Sequence, residues 1–314
     1  MTGKSKKTFL LYCGTPKSGS SWIYQYLRQH PSCEMPAEKE LHVLDRIFFP
    51  KDFDKWNRFR MNRLVAMKEN LKNESIQQNR LLMRKIIAQT HQEFSIVYDL
   101  EVYPFFFQRL LSTGEKKAQL TGDLTPSYAY LTRDELGKVK RLMEDAGFEI
   151  KILFAMRDPV QRIYSHLRMV ERWNNAVFFL GEPGKEFKDA KYSFKDFFKH
   201  PFLERCTRYD ICIENIEAIF SRDKIHYIFY EEFFCTNEVK RLCKFLEIKF
   251  KTPDLDTYVN KTEKNLRLAD EDKVDAIKYY KKTYEFVLEK FGHERVKKIW
   301  PELPDKQTIE GASK

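Results

Sequence analysis

At 314 residues the chain can bury a full core, as one enlarged α/β domain or two small ones, and a single domain over residues 1–314 is the expectation. A hydrophobic fraction of 42% with 15% aromatics, and no low-complexity tract or solenoid-period repeat, excludes the disordered, collagen-like and repeat classes. The net charge of +10, from 56 basic against 46 acidic residues, favours polyanionic ligands in general, but most of it is interleaved along solvated helix faces and does not specify nucleic acid.

In chain order, the first apolar run, Phe9-Leu10-Leu11-Tyr12-Cys13, is too short for a signal peptide or a membrane span. Thr8 to Cys13 reads as a strand ending at Gly14, and Ser20 to Arg28 as a helix with Trp22, Ile23, Tyr26 and Leu27 at helical spacing. Residues 50–95 are highly charged with a helical period and read as an inserted helical pair. Ala118 to Thr121 is a further strand, followed by Gly122-Asp123-Leu124-Thr125-Pro126. Glu149 to Met156 is a nearly continuous buried strand, then Arg157-Asp158-Pro159 opens a helix to about Val170, with Pro159 suited to the first helical turn. Residues 171–192 read as a long aromatic loop; lid and ornament are equally open for both insertions. The amphipathic stretch Phe202 to Phe220 leads to a last strand at Lys224 to Tyr230.

Strands separated by helix-length segments predict a three-layer α/β fold, similar to P-loop proteins, with a central parallel sheet covered on both faces and ligands at the carboxyl ends of the strands. Six cysteines without a Cys-x-x-Cys pair predict reduced, packed thiols and a cytoplasmic location. The seven histidines and six cysteines fall outside ligand spacing, so no metal is expected.

Gly14-Thr15-Pro16-Lys17-Ser18-Gly19-Ser20-Ser21 lies between strand and helix, where successive backbone N–H groups can wrap a phosphate at the positive helix terminus. A nucleotide triphosphate loop would place Lys directly after the second glycine; here Gly19 is followed by Ser20, and the lysine, Lys17, lies inside the loop. Its shorter reach suits a ligand whose reacting group hangs on the 5′-phosphate itself. Trp22 offers either a flat face for an adenine ring or simply a core residue of the first helix.

Cys13 to Trp22 resembles the 5′-phosphosulfate loop of the sulfotransferase superfamily, and Arg157-Asp158-Pro159-Val160-Gln161-Arg162-Ile163-Tyr164-Ser165 resembles its 3′-phosphate motif. Lys39-Glu40-Leu41-His42, Gly122 to Tyr128 and Arg205 to Tyr209 are similar to segments of the heparan-sulfate and bacterial-type branch, with Asp123 and Leu124 where that branch has Glu and Lys, and Thr207-Arg208 replacing a glycine. The resemblance implies 3′-phosphoadenosine 5′-phosphosulfate (PAPS) as co-substrate and adenosine 3′,5′-bisphosphate as product. It implies Lys17 on the bridging oxygen, Ser18, Gly19, Ser20 and Ser21 on the 5′-phosphate, Trp22 on adenine, Arg157 and Ser165 on the 3′-phosphate, and Tyr209 and Lys261 at the cofactor pocket.

A hydroxyl or amine acceptor needs a base to take its proton. By the resemblance that base is Glu40, with His42 as alternate or as a structural histidine. The acceptor is a saccharide, lipid, phenol, peptide or amine, with no nucleic acid and no membrane span expected. Two other readings compete. One is an ATP-dependent small-molecule kinase with an altered phosphate loop, which lacks a strand ending in a positioned Asp; the other is a polyanion-binding module, which would expose stacking aromatics.

Overall fold

The computed structural model describes residues 7–114, 116–173, 193–255, 268–300 and 303. Four parallel strands form one sheet: β1 (Lys7–Tyr12), β2 (Leu120–Asp123), β3 (Phe148–Met156) and β4 (Ile225–Phe229), in the order β2-β1-β3-β4. The chain leaves β1 for one side and later returns to the other. The crevice at the carboxyl ends of β1 and β3 is therefore the switch point at which parallel sheets place ligands.

Period-2 alternation splits the core into two layers. Phe9 and Leu11 of β1, with Ile150, Ile152, Phe154 and Met156 of β3, join one cluster; Leu10 and Tyr12, with Leu153 and Ala155, join the other. Helix α1 (Ser20–Arg28) covers the second face through Trp22, Ile23 and Leu27. The first is covered by a series of helices that includes Tyr103–Thr113, Arg133–Asp145 and Tyr209–Ile219.

Each expected strand is present, with shifted ends. The largest displacement is at β2, expected at 118–121 and found at Leu120–Asp123, so that Gly122 lies inside the strand. A Cβ there would come within 2.4 Å of the Leu10 carbonyl oxygen, which explains a glycine in a four-residue buried strand. The amphipathic stretch Phe202 to Phe220 is two helices, Pro201–Thr207 and Tyr209–Ile219. They break at Arg208, whose guanidinium is held by the Asp210 carboxylate at 2.7 Å.

The helical pair extends over Pro50–Asn73 and Gln77–Tyr98, and the two helices pack on each other and on the short helix α2 (Val43–Phe48). Buried polar groups join the pair to the segment before α2. The Gln89 carbonyl oxygen accepts from Ala37 N at 2.7 Å and Glu38 N at 3.3 Å, while Arg60 bridges Glu38 and the fully buried Glu93 at 2.5 Å each. Of the expected loop at 171–192, residues 171–173 end the helix α3 (Pro159–Trp173), and 174–192 lie outside the described residues. Among the described residues no helix is long and apolar enough to cross a membrane.

A buried charge stripped of its partner costs about 3–5 kcal/mol. Arg60→Met keeps the volume and strips the fully buried Glu93 of its ion-pair partner, while Glu38 keeps Arg63 at 2.7 Å. The expected result is a fall of that order in urea-measured stability, with Arg60→Lys recovering only part of it because one ammonium cannot bridge two carboxylates as a fork does.

Candidate active site

The loop after β1 is held open by its backbone. Lys17 adopts φ 71°, in the left-handed region that a side chain enters only under constraint, and Gly19 adopts φ 89° as the residue capping α1. No side chain caps α1 at Gly19, while the Trp22 and Ile23 amides donate to the Gly19 carbonyl, so the positive end of the helix faces the loop through the amides before Trp22. Thr15 and Ser18 bond through their hydroxyls at 2.7 Å, closing the loop upon itself.

Arg162, which sequence reasoning missed, anchors this loop from behind. Its fully buried guanidinium donates to the Pro16 carbonyl at 3.5 Å, to the Leu203 carbonyl at 3.2 Å and to the Thr207 hydroxyl. Its partners are backbone carbonyls and a distant hydroxyl, so no charge pattern along the chain marks it.

Beside the loop, Arg157 at the end of β3 donates to the Lys17 carbonyl at 3.4 Å and lies 4.3 Å over the Tyr230 ring. Asp158, its neighbour, instead caps α3 through Gln161 N at 2.8 Å and accepts from the Tyr284 hydroxyl at 3.0 Å. Ser165 is buried two turns into α3. Tyr209 is buried too, and its hydroxyl donates to the Arg157 carbonyl at 2.8 Å, so it supports the loop after β3.

Trp22 takes the core role. Its indole stacks on Tyr26 at 5.5 Å, meets the edges of Phe233 and Phe234, and donates to the Asp254 carbonyl at 3.1 Å. Lys261 lies outside the described residues.

The second wall is the segment 39–42. Lys39 Nζ contacts the Ser21 hydroxyl of the loop at 3.3 Å and also binds Glu40 Oε1. Glu40 Oε2 meets His42 Nε2 at 3.3 Å, and His42 Nδ1 meets Asp45 Oδ2 at 2.7 Å, which in turn accepts from the Ser127 hydroxyl at 2.5 Å. Asp45, three residues after His42, is the second group the sequence reading did not single out.

The segment is aligned by Asp123. The Thr125 hydroxyl donates to it at 2.6 Å and accepts from Leu41 N and His42 N, while the Tyr128 and Tyr103 hydroxyls donate at 2.8 and 3.0 Å. Burial pushes the Asp123 carboxyl up to about 7 against these three donors.

Charges are crowded here. Burial, followed by Arg157 and Lys39, pushes the Lys17 ammonium down to about 8. Burial also raises the Glu40 carboxyl, but the Lys39 ammonium and then His42 outweigh it and hold Glu40 well below the usual carboxylate range. Burial lowers the His42 imidazole, but Asp45 and Glu40 outweigh that and bring it up to about 9. Glu40 keeps 36% of its side chain accessible, enough to meet a ligand. Among the described residues no cluster of three His, Cys, Asp or Glu side chains could hold a metal ion.

A family model described as the sulfotransferase family matches residues 10–252. No curated protein sequence matches the chain. Among solved structures, a sulfotransferase from Alicyclobacillus acidocaldarius superposes at TM-score 0.54 with 17% identity, covering 91% of this chain and 95% of the other. The sulfotransferase domain of an olefin synthase from Synechococcus PCC 7002 superposes at TM-score 0.50 with 16% identity, covering 91% and 97%. At these identities the likeness is one of fold.

The Lys17 ammonium loses its charge as pH rises through about 8. Affinity for inorganic sulfate, measured by calorimetry, should therefore drop several-fold between about pH 7 and about pH 9. Lys17→Met should bind sulfate more weakly at both values and show little change between them.

Proposed function

Since the chain belongs to the sulfotransferase family, we propose that it moves the sulfuryl group of PAPS to a hydroxyl or amine acceptor, with Lys17 at the leaving oxygen and Glu40 as the base. The observation carrying this reading is the convergence of the left-handed Lys17 loop, Arg157 and the Glu40 segment at the switch point of the sheet.

The residues present fit such a donor by charge. Lys17 is surrounded by Arg157, Lys39 and Arg168 with Glu40 as counter-charge, an arrangement that welcomes a ligand with several negative groups. The donor supplies a sulfuryl group on a phosphate, whose departure leaves charge on the phosphate oxygen. In this reading Lys17 and the first-turn amides of α1 stabilise that charge, and Arg157 with Ser165 recognises the remote 3′-phosphate that ATP lacks.

Trp22 would contact the adenine beside Tyr26, which already stacks on one face of its indole. Glu40 accepts the acceptor's proton on Oε1, the oxygen that faces Lys39, while His42 steadies Oε2. Its ionised state at neutral pH is the state a base requires.

The reading is tested by feeding radiolabelled PAPS to extracts with the protein and identifying the labelled compound class; absence of transfer to any class would overturn it. Glu40→Gln keeps shape and loses the proton acceptor, so turnover should fall roughly 10²-fold while donor binding survives. Lys17→Ala should act mainly on turnover and Arg157→Ala mainly on nucleotide affinity, a split visible in kcat against Kd. Adenosine 3′,5′-bisphosphate should raise the melting temperature without Mg²⁺, and ATP should not.

A further inference from the structure

Lys39 engages Glu40 Oε1 and His42 meets Oε2, so both oxygens of the base already carry a donor that stabilises the carboxylate and weakens it as a proton acceptor. Lys39 therefore stands between the base and its task. The same ammonium reaches the other way as well, lying 3.3 Å from the Ser21 hydroxyl at the start of α1. It is thus a bridge between the phosphate loop and the base, anchored at neither end by a second carboxylate among its contacts.

We propose that Lys39 couples donor occupancy to base availability: it pairs with Glu40 Oε1 in the empty site and turns to the anion on the phosphate loop when the donor binds, uncovering Glu40. This inference rests on the donor reading given above.

The physical reason is competition for one cation. In the empty cleft the Glu40 carboxylate is the anion within reach of Lys39. A phosphate held against Ser21 by the loop amides brings more negative charge to the other side of the same ammonium, without requiring the backbone to move. Uncoupled from Lys39, Glu40 becomes a stronger base at the moment a donor is present, and the acceptor hydroxyl finds a free oxygen.

Gln89 clamps the backbone at residues 37–38 and Arg60 holds the Glu38 side chain, so the swing is confined to the Lys39 side chain. Other charged or titratable groups facing Glu40 are His42 of its own segment, itself paired with Asp45, Lys17 of the loop, Tyr12 of β1 and His166 of α3. These belong to the walls of the cleft and not to the bridge.

The test follows the titration of the Glu40 carboxyl by isotope-edited infrared spectroscopy, using Glu40→Gln to identify its band, with and without saturating adenosine 3′,5′-bisphosphate. In the wild-type chain, binding should raise the titration midpoint by at least about one pH unit, because a cation is withdrawn. In Lys39→Met the midpoint should already be raised in the empty protein and move much less on binding, since only repulsion from the ligand remains; Lys39→Gln provides the same reading if the methionine variant folds poorly. Equal movement in wild type and variants, or none in the wild type despite binding, overturns the coupling. Failure of adenosine 3′,5′-bisphosphate to bind in calorimetry instead overturns the donor reading itself, so the two failures are told apart.

Discussion

Like charges gathered at the carboxyl end of a parallel sheet are the constraint around which this molecule is arranged. Lys17, Lys39 and Arg157 converge beside the carboxyl ends of β1 and β3, and each is held by something other than a simple ion pair with a neighbouring chain segment. Arg157 lies over an aromatic face and donates to the Lys17 carbonyl, and Lys39 is shared between a hydroxyl and the adjacent Glu40. Burial, and after it the neighbouring Arg157 and Lys39, push the Lys17 ammonium down. A site that concentrates positive charge in the absence of ligand is preorganised for an anion, because the cost of assembly is met in folding.

The second wall of the cleft depends on a buried carboxylate. Asp123 is fully buried at the end of β2 and gathers three hydroxyls, one of which receives the amides of Leu41 and His42. The aspartate at the strand end acts through Thr125, Tyr128 and Tyr103. Leu124 is fully buried and belongs to the apolar layer beneath α1.

The helical pair, open between lid and ornament on sequence grounds, joins this scaffold through polar groups at its base. Gln89 fills the hydrogen-bonding needs of Ala37 N and Glu38 N, and Arg60 ties Glu38 to Glu93. Buried polar networks of this kind are costly when incomplete and rigid when satisfied, so the pair acts as a buttress for the Lys39–Glu40 segment.

The order of strands and helices, the turn between β1 and α1 and the strand-to-helix turn at Arg157 were legible in the sequence, because each depends on local patterns: a period of two or 3.6, a glycine at a turn, a proline at a helix start. Trp22 was not decided there, since an aromatic on an amphipathic helix serves a core and a ring-binding site equally well, and only the position of Tyr26, Phe233 and Phe234 around it places it in the core. Arg162, Asp45 and the two-sided contact of Lys39 were invisible for a related reason. Their partners lie across the fold or are backbone carbonyls and hydroxyls, which carry no pattern along the chain, and a buried charge takes its role from whichever groups the tertiary structure brings within about 3 Å of it.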